Sequence, residues 1–449
     1  MSAIRIRTEI PGPRSRALAE RRQAAIPRGI GHSTPVYAAS AEGATITDVD
    51  GNVFIDLAGG IGVMNVGHSD PSVVDAVTAQ VRQFTHTGFS VTPYESYVAL
   101  AERLCAITPG HFAKKAMFVS IGAEAVETAV KIARHATGRP GVLCFEDAFH
   151  GRTMTALSLT GKVAPYKTGF GPFDGNVHRV PYAYCYRCAW HRTHPDCGFE
   201  CVTSLDAYFR RYVDPRTIAA VVVEPVLGEG GFVVPPHGYL TKLAAFCRQF
   251  GILVIADEVQ TGFGRTGRMF ACEREGLEPD LLVAAKSLAA GFPLAAIVGR
   301  AEIMDAPGPG GLGGTYIGNP VSCAAAHAVL DRFASGELLQ RSEAIGRQIE
   351  ARARSWSERF DLVGDVRRLG AMVGIELVRD RTSRLPAVHE TTGIIQEAAR
   401  RGVLLLSAGA YANVIRFLSP LVITDEQLDE ALDVLTQAMT AAVTHQVTA

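Results

Sequence analysis

What this chain lacks narrows it first. No uninterrupted apolar run approaches the roughly 18 residues of a membrane-spanning helix, so no such helix is expected. The opening segment MSAIRIRTEIPGPRSRALAERRQAAIPRG is basic but holds no apolar h-region, so no secretory signal is expected either. Neither sign of charge is in excess: 44 Lys and Arg against 45 Asp and Glu leave a formal net charge of −1. That balance offers no electrostatic footprint for nucleic acid or an acidic membrane surface. The nine cysteines are odd in number and scattered apart from one group, so they do not read as a disulfide framework. Reduced thiols in a cytoplasm are the expectation. Internal repeats and low-complexity tracts are missing too.

What is present is a long, apolar chain. Its 449 residues, 47% of them hydrophobic with mean hydropathy +0.14, suffice for two or three packed lobes. The stretch Gly251–Gly299 organises it. There the run GILVIA ends in Asp257–Glu258, and the run LLVAA ends in Lys286. Apolar runs that stop abruptly at a charge read as buried parallel strands, and ligands in open α/β sheets lie outside the carboxyl ends of such strands. An amine held in a low-dielectric pocket becomes a nucleophile able to form a Schiff base. A carboxylate aimed at a pyridine nitrogen is the other half of a pyridoxal phosphate site. A third apolar strand, Thr217–Val223, ends in Glu224, and its spacing from Asp257 suits one βαβ crossover. Glu224, Asp257 and Lys286 are therefore expected at one edge of one sheet.

Around this centre the chain reads as alternating elements. Residues 1–35 form a surface arm with a short helix at Ser15–Ala25, followed by a hairpin whose Asp50-Gly51 step supplies the positive φ angles of a tight turn. The segment AGGIGVMNVGHSDP (58–71) suits close backbone approach to a ligand or simply a corner. A strand at Ala116–Ser120 runs through Gly122 into a helix near Glu124, a turn of the kind that presents free N–H groups to an anion. After a strand at Gly141–Phe145, the segment DAFHGRT offers Phe149 to a planar ring and Arg152 to a carboxylate. Their plainer readings are a core aromatic and a surface salt bridge, and His150 reads as a hydrogen-bonded structural residue. A glycine- and proline-rich loop (306–320) carries Thr315, and helices and strands from Leu338 onward build a smaller α+β lobe, with Thr424 and Gln427 forming a capping box.

One segment stands apart. PYAYCYRCAWHRTHPDCGFEC (181–201) places Cys185, Cys188, Cys197 and Cys201 as CxxC then CxxxC, with His191 and His194 between them. Zinc or an iron–sulfur cluster is one reading of four such thiols. The other is a reduced loop without metal, because the gap between the pairs is shorter than in ordinary zinc fingers.

With IADEVQTGFGRTG (255–267), AKSLAAGFPL (285–294), EPVLGEGGF (224–232), FHGRT (149–153) and GGTYIGNP (313–320) assembled, the chain resembles the class III (ω-amino acid) aminotransferases of the pyridoxal-phosphate fold type I superfamily. Within them it is most like the bacterial 4-aminobutyrate aminotransferase branch. The resemblance runs through nearly the whole chain and implies an α/β fold with a mostly parallel large-domain sheet and a smaller α+β domain. The implied division is an N-terminal arm and hairpin at 1–70, belonging to the small lobe, a large cofactor-binding domain at 71–335 with the cysteine-rich insert 181–201, and a small domain at 336–449. It also implies pyridoxal 5′-phosphate as cofactor. Lys286 would carry the cofactor covalently and shuttle the proton, and Asp257 would pair with the pyridinium nitrogen. Glu224 belongs with the cofactor residues at that edge. Phe149 and Val259 would cover the two ring faces, Gln260 would hydrogen-bond the ring hydroxyl, and the Gly122 and Ala123 amides would hold the phosphate. Thr315 would reach the phosphate from a partner subunit, making the enzyme a homodimer with shared sites.

The resemblance further implies a ping-pong transfer from 4-aminobutyrate to 2-oxoglutarate, giving succinate semialdehyde and glutamate. Arg152 would bind the distal carboxylate, Arg416 the α-carboxylate of glutamate, Glu229 would neutralise Arg416 in the other half-reaction, and Ile61 would line the pocket. Acetylornithine, ornithine, 5-aminovalerate or a diamine remain alternative donors, and an amino-acid racemase or epimerase is an alternative activity on the same scaffold. A Glu229–Arg416 switch favours transamination, since a racemase has no second substrate to accommodate. Two positions depart from the family pattern: Ile121, where a small hydroxyl residue is usual, and Leu227, where some relatives carry a polar one.

Overall fold

The computed structural model describes residues 2–447, and the chain falls into two compact units: 1–71 with 340–449, and 72–339. The larger unit is built on a seven-stranded sheet. In chain order its strands are β1 (Lys114–Val119), β2 (Gly141–Phe145), β3 (Val177–Val180), β4 (Ile218–Val223), β5 (Leu253–Asp257), β6 (Leu281–Ala284) and β7 (Ala295–Arg300). Their spatial order is β1-β7-β6-β5-β4-β2-β3. Every neighbouring pair is parallel except the two made by β7. The reversal of β7 has a local cause. Only Ala285–Leu294 separates it from β6, and a parallel return needs a crossover of roughly a dozen residues or more.

The strand β4 at the centre of the sheet is buried along its whole length, which is why it reads IAAVVV rather than alternating. Helix α1 (Gly122–Thr137) packs on this sheet through Ala125, Val126, Ala129, Val130, Ile132 and Ala133. Alanines at i, i+4 and i+8 form its contact stripe and let the helix axis approach the strands closely. Gly138, in the left-handed region at φ 67°, ends the helix.

The smaller unit joins both ends of the chain. The hairpin strands Thr45–Asp48 and Val53–Asp56 pair antiparallel, and Val403–Leu404 adds to the latter in parallel. The hairpin loop uses one positive φ, not two: Gly51 sits at 83°, and the Asp48 carboxylate takes the Asp50 and Asn52 amides at 2.9 and 2.8 Å in place of a tight two-residue turn. A second, antiparallel sheet orders Val363–Leu369, Met372–Leu377, Val414–Phe417 and Leu406–Ala408. The closing helix Asp425–Val447 starts with the expected reciprocal cap. The Thr424 amide donates to Gln427 Oε1 at 3.1 Å, and the Gln427 amide donates to Thr424 Oγ1 at 3.2 Å. Among the described residues no helix is long and apolar enough to cross a membrane.

Candidate active site

The carboxyl ends of β1, β2, β4, β5 and β6 share one edge of the large sheet, and most of the singled-out residues follow those ends. Beyond β1 the backbone turns at Ile121 into α1, whose N-terminus has no side-chain cap. The first amides of the helix, Gly122 and Ala123 among them, point outward with the positive end of the helix dipole behind them, an anion site in waiting. Ile121, half exposed at the cap position, contributes no hydroxyl there.

Beyond β2 comes the FHGRT loop, and tertiary contacts hold it on three sides. Gly151 passes so close to α1 that a Cβ would lie 2.4 Å from that of Ala123. Glu224, at the end of β4, accepts the Phe149 amide on one oxygen at 2.8 Å and the Gly228 amide on the other at 2.9 Å. Both of its oxygens thus tie the FHGRT loop to the EPVLGEGG loop. Burial, reinforced by repulsion from Asp257 and opposed by His150, pushes the Glu224 carboxyl up to about 7. Glu127, from α1, accepts Thr153 Oγ1 and the Thr155 amide at 2.7 Å and the Ala156 amide at 3.1 Å, fixing the chain just after Arg152.

The third support is His150. Its Nδ1 lies 2.7 Å from Asp257 Oδ2, with both side chains buried. The other Asp257 oxygen takes the Val259 amide at 3.1 Å. The sequence reading of His150 as hydrogen-bonded is met, but its partner is the central carboxylate of the site. No spacing rule links positions 150 and 257. Glu258 does something different from its neighbour: fully buried, it accepts the Ala271 and Cys272 amides at 3.1 and 2.8 Å and the Thr261 hydroxyl, bracing the turn that follows β5.

Lys286 begins a short 3-10 turn after β6 and is held in the left-handed region, at φ 46°. That conformation is uncommon for a residue with a Cβ and marks a position the surroundings over-determine. Val259 packs beside Gly122, where a Cβ would meet its methyls at 3.1 and 3.2 Å. Gln260 is buried against Gly228, and its Oε1 has no hydrogen-bond partner. An orphaned buried acceptor at such an edge is suited to a ligand hydroxyl. Phe149 and Glu229 are half-buried, and Arg152 and Thr315 are exposed.

Two singled-out residues lie in the smaller unit. Ile61 sits in a left-handed turn, Gly59–Gly62, at φ 67° with 51% of its surface exposed. Arg416 is buried on the strand Val414–Phe417. The turn and the strand are joined where the Leu418 amide donates to the Leu57 carbonyl at 2.8 Å. The cysteine-rich segment is different. Its cysteines remain thiols rather than disulfides, ranging from exposed Cys185 to buried Cys201, and burial followed by neighbouring thiols pushes Cys201 up to about 12. Among the described residues no group of three or more His, Cys, Asp or Glu side chains is arranged to hold a metal ion.

Comparison with known proteins fits this geometry. Residues 28–439 match the family model for Aminotransferase class-III. The chain is 49% identical over 435 residues to the 4-aminobutyrate aminotransferase of Mycobacterium tuberculosis (strain ATCC 25618 / H37Rv), covering 96% of this chain and 97% of that one. It is 48% identical over 421 residues to the 5-aminovalerate aminotransferase DavT of Pseudomonas aeruginosa, covering 94% and 97%. Among solved structures, the PLP-bound amine transaminase from an uncultivated Pseudomonas species superposes with a TM-score of 0.85 at 33% identity, over 93% of this chain and 97% of that one. The chain belongs to the class III aminotransferases and is an aminotransferase enzyme.

Proposed function

We propose that this class III aminotransferase takes the amino group of 4-aminobutyrate, or of a close ω-amino acid, and passes it to 2-oxoglutarate in a ping-pong cycle, giving succinate semialdehyde and glutamate. Pyridoxal 5′-phosphate is the cofactor in this reading, and it supplies an electron sink that acidifies the carbon bearing the amine. The observation that carries the reading is the sheet edge itself: buried Asp257, held by His150, ends β5, and Lys286 follows the adjacent strand β6. The residues around that pair suit the group. The uncapped start of α1 suits a phosphate, the orphaned Gln260 Oε1 suits the ring hydroxyl, and Val259 and Phe149 supply apolar surface for the ring.

Each side chain then has a definite task. Asp257 sets a negative charge against the ring nitrogen and keeps it protonated. Lys286 Nζ takes the proton from the amine-bearing carbon and returns it on the far side of the transfer, as general base and then general acid. Arg152 binds the distal carboxylate of either substrate, a task its fork of N–H donors suits. Arg416 takes the α-carboxylate of glutamate, and Glu229 neutralises that arginine when the ω-amino acid has no group to offer it. Ile61 lines the pocket. Thr315 acts on the phosphate of a partner subunit, so a homodimer is the working unit. Glu224 supports the cofactor edge through the two loops it ties. We place the enzyme in the cytoplasm, a reading supported by cysteines that remain thiols rather than disulfides among the described residues.

A half-reaction tests the proposal. Yellow holoenzyme mixed with 4-aminobutyrate and no keto acid is expected to release one equivalent of succinate semialdehyde per site, and 2-oxoglutarate added afterwards is expected to return as glutamate. No aldehyde from 4-aminobutyrate, with product from 5-aminovalerate or ornithine, would replace the donor. Recovery of an amino acid inverted at its α-carbon, with no keto acid consumed, would replace transamination by racemisation.

A further inference from the structure

Arg152 is held by an aromatic residue that the functional reading leaves out. The guanidinium carbon of Arg152 lies 4.4 Å from the centroid of the Tyr166 ring, over its face. The same ring meets Phe149 edge-on, with centroids 5.5 Å apart at 68°. Tyr166 therefore touches both the proposed carboxylate clamp and the proposed ring-covering phenylalanine.

The backbone beneath Arg152 is fixed independently. Gly151 is pressed against α1, and Glu127 pins Thr153, Thr155 and Ala156. The segment bearing Tyr166 is tied to the same loop by the Gly161 amide, which donates to the Ala148 carbonyl at 2.7 Å. What remains free at Arg152 is the long side chain, whose rotamer freedom is large. Contact with the face of a ring attracts the cation without using any N–H donor as a hydrogen-bond partner, so the guanidinium stays able to take a carboxylate on its rim.

We propose that Tyr166 is a positioning and specificity-determining residue: its ring holds the Arg152 guanidinium in place for the distal carboxylate and so sets the substrate length that fits between Arg152 and Lys286. The proposal rests on the reading of Arg152 as the carboxylate-binding residue. It predicts that loss of the ring weakens carboxylate binding and blurs the distinction between a four-carbon and a five-carbon ω-amino acid, while leaving the proton transfer at Lys286 alone.

The experiment uses holoenzyme with 4-aminobutyrate and 5-aminovalerate as separate donors. Tyr166→Leu is expected to raise KM for the preferred donor about 2- to 5-fold, the range of an exposed cation–π contact. Its kcat is expected to stay within about twofold, and the ratio of kcat/KM between the two donors to move towards one. Tyr166→Phe keeps the ring and is expected to restore KM. Because leucine also disturbs packing on Phe149, a second series replaces Tyr166 by phenylalanine bearing one, two or three ring fluorines, which keep the shape and drain the face of negative charge. KM rising with each fluorine supports the proposal. A flat fluorine series overturns it, even if the leucine variant is impaired, as does a leucine variant with unchanged KM and donor ratio. A wild-type enzyme that turns over no ω-amino acid breaks the functional reading instead, before any Tyr166 variant is compared.

Discussion

The carboxyl edge of β4, β5 and β6 and the cysteine-rich segment 181–201 both concentrate reactive side chains, yet they differ in how those side chains are held. At the sheet edge Glu224, Asp257 and Lys286 come from positions far apart in the chain, and the carboxylates are buried with named partners. In the cysteine segment the four thiols are close in sequence but differ in exposure, and they form no ligand group among the described residues. The difference lies in what imposes geometry. Parallel strands joined by crossovers must deliver their carboxyl ends to one edge. Short spacing in an irregular loop imposes nothing comparable.

Breaking the sheet edge should cost most. Lys286→Ala is expected to lower turnover by about 10⁴-fold, the upper range for removal of a general acid–base group, with the thermal midpoint little changed. Persisting turnover in a steady-state assay would refute the role assigned to this lysine. His150→Ala comes next. It leaves the buried Asp257 carboxylate without its imidazole partner, and such losses cost about 3 kcal/mol. Urea unfolding and the cofactor dissociation constant should both report the change, with His150→Asn recovering part of it through its amide donor.

A pH titration sharpens the comparison further. The Glu224 carboxyl, raised by burial from 4.5 to about 7, holds its proton more tightly folded than unfolded. Its contribution to stability is therefore complete below about 4.5 and is lost as pH climbs through 7. Glu224→Gln is expected to flatten that part of the profile of thermal midpoint against pH, and an unchanged slope would assign the dependence elsewhere. The smallest effects belong to the cysteine segment. Cys185→Ser and Cys188→Ser are each expected to change stability by less than about 0.5 kcal/mol, with activity unaltered. Dialysis against a chelator should leave the thermal midpoint where it was. A drop of several degrees on chelation would make this segment a metal centre after all.

The large sheet was legible because buried parallel strands announce themselves as apolar runs stopped by charges, as in GILVIAD and LLVAAK. Caps were legible too: Thr424 with Gln427 needs only a three-residue spacing. The residues of β7 do not themselves announce its antiparallel direction, and the only signal is the shortness of Ala285–Leu294. The short strands β3 and Leu406–Ala408 carry too few residues to show a period.

By itself, then, the sequence determined which residue types stand at the ends of the central strands and hence the chemistry available there, because periodicity and chain reversal act over a few neighbouring residues. Only the tertiary structure decided that His150 supports Asp257, that Glu224 ties two loops, and that Tyr166 lies over Arg152. It alone joined Val403–Leu404 to the N-terminal hairpin. Those pairings form between segments that meet only when the core closes, so no local pattern in the chain records them.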